Sequence, residues 1–341
     1  MKTLFGAVVQ SLHSGHPLIL VSVVASSGST PRGAGAMMLV FENGSSMGTI
    51  GGGAVEHSAQ KYALGLFAGR TSQMQGYCLA PGDVANLGMI CGGNVTVYFQ
   101  YLDPADTAAA ALFEAALAAL NGNQDVWLVR RLEGERVASM GLWGNNGPLF
   151  AGNISDDAVV RPLLQSNAVL QKGELGWYVE PIARAGRVYI FGGGHVTQAL
   201  VPVLAKIEFA PVVVEELAQF AAPALFPGAC EVFLMPFDEI GTRLEISSAD
   251  YGVIMTRGHQ SDYTVLRQII MTDATYIGCI GSRHKIAATR QRLVEEGISA
   301  EAFARVHTPI GLEIGAETPA EIAISIAGEM IAHRAGNKTA N

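Results

Sequence analysis

A strand that breaks on three glycines and re-enters a helix leaves this chain the least freedom. Residues 188–200 read VYIFGGGHVTQAL. An apolar run without alternation suits a strand covered on both faces, as in a parallel sheet. Glycines between a strand and a helix let the backbone come close to an anion at the helix N-terminus. Gly192 and Gly194 match the first two glycines of a dinucleotide fingerprint, but the third position is Thr197. That third glycine serves helix–strand packing, so phosphate binding remains open while hydride chemistry does not follow from the turn. Gly192, Gly193, Gly194 and His195 are candidate phosphate or nucleotide contacts. Glu215, about 20 residues past the glycines, ends the next strand where a ribose-binding carboxylate is expected.

Further strands are expected at residues 232–235, 251–255 and 274–279, with helices between them. This alternation predicts a doubly wound parallel sheet, whose ligands bind at the carboxyl ends of the strands. Two loops there carry chemistry. TRGHQSDYTVL brings Arg257, His259 and Asp262 together, and YIGCIGSRHKI ends in Gly281, Ser282 and Arg283. His259 with Asp262 is either an acid–base pair or a loop brace. Farther on, Thr318, Pro319 and Glu321 form a capping box, which needs no ligand.

The first half has its own glycine-rich loops. An apolar strand over residues 18–24 runs into a polar loop holding Arg32. A strand over 37–41 then turns at Glu42-Asn43-Gly44, a hairpin signal. A short strand over 48–50 enters Gly51, Gly52 and Gly53, and a helix is expected over 54–68. These glycines with Arg32 form either an anion cradle or a tight turn beside a surface arginine. Cys91, before Gly92-Gly93, is either a small buried hydrophobe or a ligand contact. Residues 126–183 read as strands around one helix over 156–165.

The chain divides near residue 185, giving domains 1–184 and 185–341, each long enough for its own core. A net charge of −8 argues against nucleic acid as the main partner. No apolar run reaches the ~18–20 residues of a membrane span. Four scattered cysteines without a C-x-x-C argue against structural zinc or a disulfide framework, and fit a reducing cytoplasm.

Taken together, SSGSTPRGAGAMMLV, GTIGGGAVEH, GMICGGNVTV, VYIFGGGHV, TRGHQSDYTVL, YIGCIGSRHK and PIGLEIGAETPAEIAISIAGEM resemble the xanthine dehydrogenase accessory family, the XdhC/CoxI-type molybdenum-cofactor maturation proteins. The resemblance covers nearly the whole chain. It implies an α/β fold, with a mixed N-terminal domain followed by a Rossmann-like doubly wound parallel sheet. It also implies a maturation factor and cofactor chaperone rather than an enzyme. Such a protein binds the molybdenum cofactor, as molybdopterin or its cytosine dinucleotide form, and delivers it to an apo-molybdenum hydroxylase. The resemblance further implies a cysteine desulfurase as partner, self-association as a homodimer, and Cys91 beside molybdenum. Gly51 to Gly53 with Arg32, and Gly192 to Gly194 with His195, would hold the ligand's anionic groups. Three positions depart from the family pattern: Ala54 where a cysteine is usual, Glu215-Glu216-Leu217 for an Asp-Asp-Arg type ending, and Thr197. The alternative is an NAD(P)-dependent oxidoreductase, with His259 as proton donor, Asp262 orienting it and Glu215 on the ribose.

Overall fold

The computed structural model describes residues 1–78, 93–134, 136–165, 167–173, 175–281 and 283–336. The chain forms two compact units, Met1–Arg184 and Ala185–Asn341.

The first unit opens with α1 (Lys2–His13), β1 (Leu18–Ser27), the hairpin of β2 (Met37–Phe41) and β3 (Ser46–Gly48), and α2 (Gly53–Leu66). Then come β4 (Gln73–Cys78), β5 (Asn94–Leu102), α3 (Thr107–Ala119), β6 (Val126–Glu133), β7 (Arg136–Gly144) and β8 (Gly147–Phe150). Short α4 (Asp157–Val160), β9 (Val169–Gln171) and β10 (Leu175–Ala183) complete it. The strands make two antiparallel sheets, ordered β3-β2-β1-β5-β4 and β8-β7-β6-β10-β9. β1 is apolar over most of its length because both its faces are covered. Leu18 and Leu20 join Val126, Leu128 and Leu142 of the second sheet in one core. Ile19, Val21 and Val23 pack with Val55, Ala59 and Ala63 of α2 in another.

Most boundaries shift by one to three residues, and two of the shifts have a clear local cause. The strand expected at 48–50 lies at Ser46–Gly48. Gly48 has φ +85° and a side chain there would meet the Met37 carbonyl at 2.7 Å, so the chain leaves the sheet at this residue. The helix expected at 156–165 stops at Val160 and tightens into a 3-10 turn, Arg161–Leu163, because Pro162 has no N–H to continue it.

The second unit contains β11 (Arg187–Phe191), α5 (His195–Lys206), β12 (Ala210–Glu215), β13 (Glu231–Leu234), α6 (Ile240–Arg243) and β14 (Tyr251–Ile254). After these come α7 (His259–Ile269), β15 (Tyr276–Cys279), α8 (Arg283–Glu295), α9 (Ala300–Ala304), β16 (Val306–His307) and α10 (Pro319–Gly336). All six strands pair in parallel, in the order β13-β12-β11-β14-β15-β16. The strand order reverses between β11 and β14, the switch point where such sheets open a crevice. Leu200, Val201 and Leu204 of α5 and Ile326 and Met330 of α10 cover one face. Leu266 and Ile269 of α7 with Leu293 of α8 cover the other. α10 begins as its capping box predicts: Thr318 N donates to Glu321 at 2.9 Å, and Glu321 N to the Thr318 hydroxyl at 3.3 Å.

Candidate functional site

The glycine turn after β11 is built for backbone proximity, and the protein itself fills much of the space. Gly192 has φ +106°, and a Cβ there would lie 2.4 Å from the Met255 carbonyl at the end of β14. Only glycine fits. Thr197, in place of the third fingerprint glycine, is buried and donates its hydroxyl to the Gly192 carbonyl at 2.5 Å. Gln198 adds a bond from Nε2 to the Gly193 carbonyl at 3.1 Å. The turn is therefore tied down by side chains of its own helix. Thr197→Val keeps the shape and removes the bond, so a loss of about 1 kcal/mol is expected in denaturant unfolding followed by far-UV circular dichroism. An unchanged midpoint would show the hydroxyl to be idle.

Glu215 ends β12, but its carboxylate turns inward. It is 2% exposed; one oxygen accepts from Gly193 N at 2.7 Å and the other from Glu216 N and Leu217 N at 2.9 and 3.0 Å. The next segment folds back over the turn, and a Cβ on Gly193 would meet the Phe220 carbonyl at 2.3 Å. The acid placed for a ribose thus holds main chain. Gly194 caps α5, and His195 is exposed at its first turn.

The carboxyl ends of β14 and β15 frame a cavity of about 260 Å³, bordered by Thr256, Arg257, Asp262, Cys279, Thr289 and Thr308. Asp262 accepts from Thr256 N at 3.0 Å and from the Thr256 hydroxyl at 2.6 Å, so it braces this loop as well as facing the cavity. His259 opens α7 and Arg283 opens α8. Ser282 lies outside the described residues. The Arg257 guanidinium sits over the face of Phe220. Exposed stacking of this kind contributes about 0.5–1 kcal/mol, enough to hold an arginine's orientation.

Cys279, within YIGCIGSRHKI but not singled out there, lines this cavity. Burial, reinforced by the charge of Asp262, pushes its thiol up to about 12. It is a protonated wall rather than a nucleophile or thiolate ligand. From its ordinary value of 9.0 to about 12, the thiolate fraction at neutral pH falls about a thousandfold. Peptide mapping after brief iodoacetamide treatment at about pH 8 should find exposed Cys230 alkylated and Cys279 unmodified. Equal labelling would contradict that assignment.

In the first unit all three residues Gly51, Gly52 and Gly53 have positive φ, at +135°, +73° and +61°. The amides of Gly51 and Gly52 do not stand open to an anion. Glu56, in the first turn of α2, accepts from the Thr49 hydroxyl, Ile50 N and Gly52 N at 2.5, 3.1 and 3.0 Å. Gly51 N donates to the Thr49 hydroxyl at 3.1 Å. The carboxylate stands where a bound anion would, favoured there by the helix dipole. The sequence signal was an acid in the first turn after a glycine N-cap. The polar loop over residues 27–32 lies between the two glycine segments. A Cβ on Gly51 would touch Pro31 at 2.9 Å, and one on Gly93 the Ser29 carbonyl at 2.5 Å. Arg32 is exposed, Ala54 half-buried, and Cys91 lies outside the described residues. Among the described residues, no group of three or more His, Cys, Asp or Glu side chains is placed to hold a metal ion. No described helix is long and apolar enough to cross a membrane.

These features define a two-unit α/β protein: an antiparallel first unit, then a Rossmann-type domain with a small cavity at the carboxyl ends of its strands. Comparison with known proteins gives the family. The model of the XdhC and CoxI family matches residues 11–77, and that of the XdhC Rossmann domain matches residues 188–330. The chain belongs to the XdhC family. It is 24% identical over 320 residues to a probable xanthine dehydrogenase subunit of Bacillus subtilis, covering 93% of each chain. It is 25% identical over 316 residues to the uncharacterized protein YqeB of Escherichia coli, covering 92% of this chain but only 43% of that relative's length. A crystal structure from Bacillus halodurans described as a xanthine dehydrogenase shares the fold, with a TM-score of 0.80 at 22% identity over 99% of this chain and 97% of that one.

Proposed function

We propose that this protein holds the molybdenum cofactor and passes it to the apo form of a molybdenum hydroxylase. The carrying observation is the cavity at the ends of β14 and β15, bordered by hydroxyls and Arg257 in a family tied to xanthine dehydrogenase. The cofactor is a phosphorylated pterin, and this donor set suits it: threonine hydroxyls and main chain for ring heteroatoms, a guanidinium for phosphate. At about 260 Å³ the cavity lies below the ~300–1,000 Å³ of pockets that enclose a whole drug-sized ligand, so it would take one end of the cofactor. When bound, the cofactor supplies the metal centre used by the recipient enzyme. This chain's part is to hold it, keep water away and release it.

The oxidoreductase alternative has less support. Glu215, where a dinucleotide's ribose is expected, binds main chain with both oxygens, and the Phe220 carbonyl lies against Gly193 in the turn that would meet the phosphates.

The test is anaerobic incubation of the whole protein with molybdenum cofactor, desalting, and assay of molybdenum and pterin retained per chain. Near-equimolar retention followed by activation of an apo-hydroxylase is expected. Absence of retention, alongside tight nicotinamide dinucleotide binding and turnover, would reverse the assignment.

A further inference from the structure

We propose that His333 of α10, with His307 and Glu329, is an acid-sensitive latch. Neutral, it holds the end of α10 on the sheet of the second unit. With charge on both imidazoles, it loosens that end and the rim of the cavity at Thr308. The inference stands apart from the carrier reading, since it concerns the fold beside the cavity and not what the cavity binds.

Alternation along the strands builds the latch. On β16, Val306 joins the core under α7 and α8, so His307 lies on the opposite face. There Tyr251, Tyr276 and His307, from three neighbouring strands, form a row of rings. Their centroids are 5.9 Å apart for Tyr251 and Tyr276, and 4.6 Å for the stacked Tyr276 and His307. On α10, Glu329 and His333 are one turn apart and share the face laid on this row. One oxygen of Glu329 is 3.0 Å from His307 Nδ1. The other accepts from the Tyr276 hydroxyl at 2.9 Å and from Gly311 N at 2.6 Å. His333 meets the three rings edge-on, 5.6 Å from His307, 5.2 Å from Tyr276 and 6.0 Å from Tyr251.

Two groups that titrate near neutrality thus share one half-buried site. Burial, and then the charge of His307, disfavour the protonated form of His333. A hydrogen bond to the Thr275 main chain and the Glu329 carboxylate favour it, as does the C-terminal end of the helix dipole. The first two causes prevail, and the imidazole is held below its ordinary 6.5. Arg334, whose guanidinium lies 4.2 Å from the centre of the Phe209 ring, adds positive charge to this end of α10. Burial raises the Tyr251 and Tyr276 hydroxyls, which stay neutral. α5 meets α10 through the uncharged Leu200, Val201 and Leu204. An imidazole held down in the folded state favours folding while neutral, and this contribution is lost as pH falls below 6.5. The loss reaches the cavity because Glu329 grips both His307 and Gly311. Thr308, between them, borders the cavity, and its hydroxyl and Ile310 N both donate to the Cys279 carbonyl at 3.1 Å.

The test is hydrogen exchange of the whole protein read by mass spectrometry at about pH 7.5 and about pH 5.5, corrected for the intrinsic rate. On acidification, protection of peptides covering residues 325–336 and 307–312 should fall at least about threefold more than elsewhere in the second unit. His333→Phe keeps a ring without the titration, and His333→Gln keeps a donor for Thr275. In either variant this acid loss should disappear. Glu329→Gln removes the carboxylate that offsets the added charge, so its loss should exceed that of the wild type, each protein judged against its own value at the higher pH. A packing role alone would change protection equally at both pH values. The proposal is overturned if the wild type shows no acid loss centred on these peptides, or if the His333 variants retain it. Cofactor retention without the acid loss would overturn the latch and keep the carrier reading. The acid loss without cofactor retention would do the reverse.

Discussion

Replacing Arg130 by methionine is expected to destabilise the first unit by about 3–5 kcal/mol. Arg130 on β6 and Glu180 on β10 are both 0% exposed and form an ion pair. Gln100 of the other sheet accepts from Arg130 Nε at 3.1 Å, and the Tyr178 hydroxyl lies 2.8 Å from Glu180 Oε2 and 3.1 Å from the Val23 carbonyl. The network therefore ties the two sheets together through their otherwise apolar inner faces. Without the cation, Glu180 is a buried charge with no counterion. The double replacement Arg130→Met with Glu180→Leu should recover most of the loss, since one donor, Arg130 Nη2, has no partner even in the native pair.

The same pair carries a pH signature. Burial holds the Glu180 carboxyl above the usual carboxylate range, with Arg130 pulling it down. Removing Arg130 raises it further. A carboxyl raised in the folded state favours folding while protonated, and this contribution is lost as pH rises through the folded value. The deficit of Arg130→Met should thus be smaller near about pH 5 than at about pH 8. All three tryptophans, Trp127, Trp143 and Trp177, lie in the first unit, so urea unfolding followed by their fluorescence reads this unit directly. A deficit below about 1 kcal/mol, or one independent of pH, would mean that the pair does not hold the sheets.

Glu56→Ala is the second large effect, about 2–4 kcal/mol by the same fluorescence. Three donors lose their shared acceptor, and Gly52, the middle of three consecutive positive-φ glycines, loses the group that fixes its amide. Glu56→Gln keeps an acceptor oxygen without the charge, and about 1 kcal/mol is expected. The vacated amides of Glu56→Ala should then accept inorganic phosphate, raising its melting temperature while leaving that of the wild type unmoved. Phosphate stabilising the wild type equally would instead make Gly51 to Gly53 an anion site as they stand.

Much of the second unit was legible in the chain. The strand VYIF, the glycine turn and the strand–helix alternation specify a parallel sheet because each is a local choice of period, backbone freedom and capping. Thr318 and Glu321 marked a helix start for the same local reason. Pro162, which ends the helix expected over 156–165, was equally visible in the chain.

The partners of the polar groups were another matter. Arg130 and Glu180 are fifty residues apart, and nothing local places them opposite one another. Their meeting depends on the register of β6 with β10. The residues that make the cavity come from the ends of three strands and from three helices, so Cys279 and Thr289 gave no warning. Sequence by itself determined where the backbone needs glycine, roughly where strands and helices begin, and that each unit carries a glycine turn leading into a helix. Tertiary structure decided which groups occupy that geometry: Glu56 at one turn, Glu215 and Phe220 at the other, with Arg257 left at the mouth of a cavity. Backbone conformation follows from near neighbours in the chain, whereas a hydrogen-bond partner is chosen by whatever packing brings within about 3 Å.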